Sequence, residues 1–217
     1  MNMKSIIKLI CLTYLFLFLG VINPSKGIAE PQLMLEFESV VKELRNQTQV
    51  PIFLPSVVFY PIHDYSGNPS SPTSNYEKIT TGNNKPEFFT SLSEYTSPTS
   101  YQISLDVTAD CGGATACDFG YLVGEKIPPS GSKVPKIFSE TQQQWRNDLP
   151  PIRSSENPAI VQLAQGITGY FVPYTCAARC STSQMIWDLN GYRYTIALEQ
   201  ASQEVLMEMA NSAILNQ

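Results

Sequence analysis

The chain has 217 residues, with 14 Lys and Arg against 19 Asp and Glu, a net charge of −5, one His and 16 Pro. Nucleic acid and anionic membrane surfaces are bound through clustered Lys and Arg, and the sequence shows no such cluster, so neither is an expected partner. A single imidazole and the lack of a Gly-rich loop leading into a helix narrow the catalytic repertoire further.

The N-terminus opens with Lys4 and Lys8, continues through the apolar run LICLTYLFLFLGVI, and reaches KGIAE with Gly27 and Ala29 at the −3 and −1 positions of a cleavable bond. That order is the pattern of a secretory signal peptide, residues 1–29, with cleavage expected near Ala29. The run at 9–22 is shorter than the roughly 20 residues that span a bilayer, so no stable membrane span is expected after cleavage. Residues 30–217 are then a secreted or periplasmic protein. Losing Lys4, Lys8 and Lys26 leaves 11 basic against 19 acidic residues, a net charge of −8. A chain of that length buries one good core, so a single α+β domain is expected.

Leu33, Phe37, Val40, Val41 and Leu44 recur at steps of three and four, which predicts an amphipathic helix that Pro51 ends. Prolines 51, 55 and 61 exclude a helix over VPIFLPSVVFYPI, which reads as an extended stretch on the sheet or along its edge. Residues 63–100 turn to Ser, Thr, Pro, Asn and Gly, and read as long loops with at most one short strand. SYQISLDVTAD alternates, with Tyr101, Ile103, Leu105 and Val107 on one face, and predicts a strand whose partner is FGYLVGEKI.

A second irregular region carries prolines 128, 129, 135, 150, 151 and 158, with KIFSETQQQW as a short helix or strand. Further on, Asn190-Gly191 between MIWDL and YRYTIAL is a strong hairpin signal, because both residues tolerate positive φ. The last element, SQEVLMEMANSAI, has Ser202 as N-cap, Glu204 in its first turn, and an apolar stripe of Val205, Leu206, Met209, Ala210 and Ala213. The expected architecture is an antiparallel sheet of about 5–7 strands flanked by an N-terminal and a C-terminal helix, with long Pro/Ser/Thr-rich loops.

Cys11 falls in the leader, which leaves Cys111, Cys117, Cys176 and Cys180. Four thiols in an oxidising compartment are expected as two disulfides. Short separations and a loop rich in Gly and Ala favour Cys111 with Cys117 and Cys176 with Cys180; pairing between the two loops is the alternative. Zinc usually draws on histidines as well as thiolates, and redox exchange normally uses C-x-x-C, a spacing absent here.

No catalytic residue, cofactor or metal site is expected. His63 has Asp64 beside it only in sequence, and no G-x-S-x-G elbow is present. Asp106, Asp110 and Asp118 flank the first cysteine loop but lack the dense spacing of a calcium loop. Trp187 and Tyr194, on either side of the tight turn, read as rings packing a sheet face against the last helix rather than as a ligand platform.

The words GITGYFVP, IWDLNGYRYTIAL and LMEMANSAI resemble a domain of unknown function found in secreted bacterial proteins and in the extracytoplasmic parts of anti-sigma factors. The resemblance lies in Trp187, Gly191, Tyr192, Tyr194, Ala210 and Ser212. With VPIFLPS, SYQISLDVTADCGGATACDFG and the leader, nearly the whole chain resembles a group of uncharacterised cyanobacterial envelope proteins. The resemblance implies the fold and is almost silent on activity. The expected function is an exported, non-enzymatic envelope protein acting by interaction with another envelope component, a protein or a small molecule. A carrier of lipophilic or other small ligands in a sheet–helix crevice, and a hydrolase with a carboxylate pair, are the alternatives.

Overall fold

The computed structural model describes residues 33–62, 75–81, 88–111, 117–147, 152–176 and 180–217. The leader, its cleavage site and His63 lie outside the described residues. A 3-10 turn, Leu35–Phe37, leads into helix α1, Glu38–Gln47, whose buried side chains Val40, Val41 and Leu44 are those of the predicted stripe.

Strands β1, Val57–Ile62, and β2, Asn75–Thr80, form a separate antiparallel ribbon. The extended stretch thus lies on the main sheet, where Phe53 meets Trp187 and Tyr194, and its end at 57–62 pairs in this ribbon and not along the main sheet's edge. Pro61, which has no N–H to give a ladder, is accommodated opposite Tyr76 in a ribbon where each strand has one bonded side. The region read as loops with one short strand holds two, β2 and β3, Phe89–Leu92.

The main sheet has seven antiparallel strands in the order β3-β4-β5-β11-β10-β8-β7. Its members besides β3 are β4, Ser100–Asp106; β5, Asp118–Lys126; β7, Ala159–Gln162; β8, Thr168–Val172; β10, Thr182–Leu189; and β11, Tyr192–Glu199. Strands β6, Ile152–Arg153, and β9, Thr175–Cys176, make a small second ribbon. The fold is therefore α+β, with helix α1 at the N-terminal end and α3, Gln203–Leu215, at the C-terminal end.

Asn190 and Gly191 form a two-residue turn at φ 52° and 84°, and this sets Trp187 opposite Tyr194 in the β10–β11 register. Their rings stack at 5.6 Å on the inner face of the sheet, and Phe53 from the extended stretch lies 4.2 Å, centroid to centroid, from Tyr194. Leu206, Met209, Ala210, Ala213 and Ile214 of α3 are buried in the same core as these rings. Ser202 Oγ accepts from Val205 N at 3.3 Å, and both Glu156 carboxylate oxygens accept from Gln203 N, so the start of α3 is closed by two side chains.

The region 136–145, read as helix or strand, is helix α2, Lys136–Arg146. It seats Phe138 on the opposite face of the sheet against Tyr170, Val172 and Ile186. That face is covered only in part: its other end, at β3 and β4, carries polar side chains.

Candidate functional site

Strand β4 turns Tyr101, Ile103 and Leu105 into the core and Gln102, Ser104 and Asp106 outward, the alternation its period-2 sequence requires. Beside it, β3 presents Ser91 opposite Ser104. On the other side, β5 departs from regular pairing. Leu105 pairs with Gly120 but Asp106 with Asp118, so Phe119 is an extra residue, a β-bulge. Strict alternation would put Asp118 on the same side as Gly120 and Leu122. The bulge instead sends Phe119 into the core and leaves Asp118 facing the same cavity as Asp106.

These side chains line a groove of about 690 Å³, completed by Thr90, Ser93, Glu94 and Tyr95 from β3 and the turn after it. Asp106 is 3% exposed and accepts from Ser91 Oγ at 2.9 Å. Burial raises its pKa from the ordinary carboxylate range, and the Ser91 bond offsets this in part. Burial likewise raises the pKa of Asp118; a 2.9 Å bond from Gly120 N opposes the shift, while the charges of Asp106 and Glu199 add to it. The groove therefore holds two carboxylates that resist carrying their charges together. Tyr95, 74% exposed, offers its ring at the mouth.

Cys111 and Cys117 are bonded to each other and close the β4–β5 connection at this end of the groove, where Val107 N also donates to Cys117 O at 2.9 Å. Cys176 and Cys180 are bonded and close the connection from β9 to β10. Trp187 and Tyr194 lie in the core, 1% and 2% exposed, and Trp187 Nε1 has no hydrogen-bond partner there. Tyr192 is half-buried and Gly191 stands in the turn, so the four residues of this hairpin motif do not reach the groove.

Of the three aspartates flanking the cysteine loop, Asp106 and Asp118 come together, while Asp110 is exposed and does not line the groove. Among the described residues no group of three or more His, Cys, Asp or Glu is placed to hold a metal ion. Ser91 is beyond sequence reasoning, since only the pairing of β3 with β4 carries it to Asp106. No helix among the described residues is long and apolar enough to cross a membrane. Searches against family models, curated proteins and solved structures found nothing that matches this chain.

Proposed function

We propose that the chain is an exported, non-enzymatic envelope protein that acts by interaction with another envelope component, and that the groove over β3–β5 is the surface it uses. The likeness to cyanobacterial envelope proteins and the leader with its cleavage near Ala29 belong to the same reading, and two disulfides fit an oxidising compartment. The observation that carries it is the groove itself: a polar concavity lined in part by the exposed Tyr95, on a sheet whose other face carries the core. Against a carrier stands the filled layer beneath α3, where Leu206, Met209, Ala210, Ala213 and Ile214 are buried.

The facing pair Asp106 and Asp118, both with raised pKa, favours a second reading, a hydrolase in which one of the two carboxyls is the acid. Its weakness is Asp106, which is buried and held by Ser91. The two readings part in one experiment. A photo-crosslinking residue at position 95 should capture an envelope component that the same residue at the exposed Leu215 does not. Equal labelling from both positions would remove the groove from the proposal, and turnover of the captured component that is lost in Asp118→Asn would replace binding by hydrolysis.

A further inference from the structure

We propose that two copies of this chain join through strand β7, pairing edge to edge about a two-fold axis into one continuous antiparallel sheet. The inference does not depend on the groove, which lies toward the opposite edge. Strands β3 and β7 are the two edges of the seven-stranded sheet. At the β3 edge, Thr90 Oγ1 donates to the Glu36 carbonyl of the 3-10 turn that packs against the strand. The β7 edge has no such cover among the described residues. Leu163 N donates to Ile167 O across the β7–β8 hairpin, so by antiparallel alternation Val161 and Ala159 bond to Gly169 and Phe171. The N–H and C=O of Ile160 and Gln162 then point away from β8, and nothing among the described residues bonds them. A row of unpaired backbone groups along a strand edge is a template for another strand.

Edges that stay unpaired are commonly protected by a charge, a proline or a bulge. Strand β7 is Ala-Ile-Val-Gln, pairs with β8 without a register shift, and begins just after Pro158. Ile160 stands on it 63% exposed. Residues 157–176 hold no Asp, Glu, Lys or Arg, and neither do residues 209–217, where Asn211 of α3 accepts from Ala164 N in the β7–β8 turn. On a chain whose residues 30–217 carry a net charge of −8, this charge-free region is where two copies approach with least repulsion. A cationic partner would find no acid here to steer it. The strand also complements itself. With the two-fold axis at Val161, Ile160 of one copy faces Gln162 of the other, and the two reciprocal pairs make about four hydrogen bonds without calling on Pro158. Since β7 is the one open edge of the main sheet, assembly closes at two copies, with a groove toward either far end of the joined sheet.

Sedimentation velocity of the purified protein, over a dilution series from micromolar to submillimolar, should show a reversible monomer–dimer equilibrium. Hydrogen exchange reads its geometry: the Ile160 and Gln162 amides should be protected at high concentration and open at low, whereas Val161, bonded to β8, is slow at both. Ile160→Pro removes an outward N–H from each copy and leaves the β7–β8 ladder intact, so it should weaken dimerisation roughly thirtyfold. Ile160→Glu brings two like charges to the axis and should weaken it roughly fivefold, less at high salt. Neither should move the denaturation midpoint of the dilute protein. A monomer at every concentration overturns the proposal, even if β7 pairs with a strand of some other component. So does a dimer whose protection lies away from 160 and 162, one that neither variant weakens, or assembly beyond two copies. If the proline variant does not fold, Ile160→Glu and the exchange of the wild type decide alone.

Discussion

The two faces of strand β4 meet opposite surroundings, the core on one side and a polar groove on the other. Inward, Tyr101, Ile103 and Leu105 are closed off by α1, the residues before β1, and Phe88 and Phe119. Outward, Gln102, Ser104 and Asp106 line a groove. Backbone, hydrogen bonding and neighbours are shared, so the contrast comes from the side chains alone. Packing accounts for each residue of the inner face. It does not account for Asp106, whose burial costs free energy that a Ser or Val at that place would not incur. A residue that stability alone would not choose is a reason to look for function on the outer face and not among the aromatic rings of the hairpin.

The sharpest way to break this comparison is to damage the inner face. Trp187→Ala should cost about 3–5 kcal/mol, since it removes a side chain stacked on Tyr194 and approached by Phe53. Trp187→Phe should cost much less, because the indole N–H it removes is a buried donor without a partner. Chemical denaturation measures both, and a Phe variant as unstable as the Ala variant would show that ring volume is not what the site uses.

Gly124 offers a test of the same face at a different contact. A Cβ there would come within 2.3 Å of Tyr101 Cε1. Tyr101 cannot easily yield, being buried and accepting a 3.1 Å bond from Phe53 N. Gly124→Ala is therefore expected to lose about 1–3 kcal/mol, as overpacked cores do. An unchanged melting temperature would mean that the ring has room to move.

How much of this was legible follows from the same contrast. The β4 strand could be read because its faces differ in polarity at every step, and the β10–β11 hairpin because Asn-Gly has few other uses. Strands β2 and β3 were not read separately: among the described side chains of β2 Ile79 alone is buried, and all four residues of β3 are half-buried, so neither shows an alternation. The aspartates were noticed for their place beside the cysteines, yet which of them meet could not be seen. Period-2 counting from Leu122 puts Asp118 in the core, and only the extra residue at Phe119 reverses it.

The turn at Asn190-Gly191 decides which residues face which side, because a slip of one residue in register exchanges the two faces. Gly191→Val places a β-branched side chain at φ 84°, for an expected loss of about 1–3 kcal/mol. Since no atom stands within 4 Å of a Cβ built there, the cost would be conformational and not steric, and Gly191→Asn should recover much of it. A denaturation midpoint that is the same for Val and Asn would show that the register is held by the strands and not by the turn.

The smallest expected effect is on the outer face, at Asp118→Asn. Asn retains an acceptor for Gly120 N and removes a charge that burial, Asp106 and Glu199 all disfavour. The sign follows from the raised pKa. The folded protein holds the Asp118 proton more tightly than the unfolded chain, so the linked stabilisation is full below the ordinary Asp value of about 3.9 and is lost as the pH rises through the raised value. At neutral pH the wild type carries the unfavourable charge and the variant does not. The variant should then equal or exceed wild-type stability at pH 7, by no more than about 0.5 kcal/mol. At pH 3, below the ordinary Asp value of about 3.9, the gap should narrow, because the wild-type carboxyl is there mostly protonated in the folded and the unfolded chain alike. Denaturation at the two pH values reads the difference directly. A variant that is less stable by the same amount at both would show that Asp118 is held for the structure of the bulge, and the outer face would then be explained by packing as fully as the inner one.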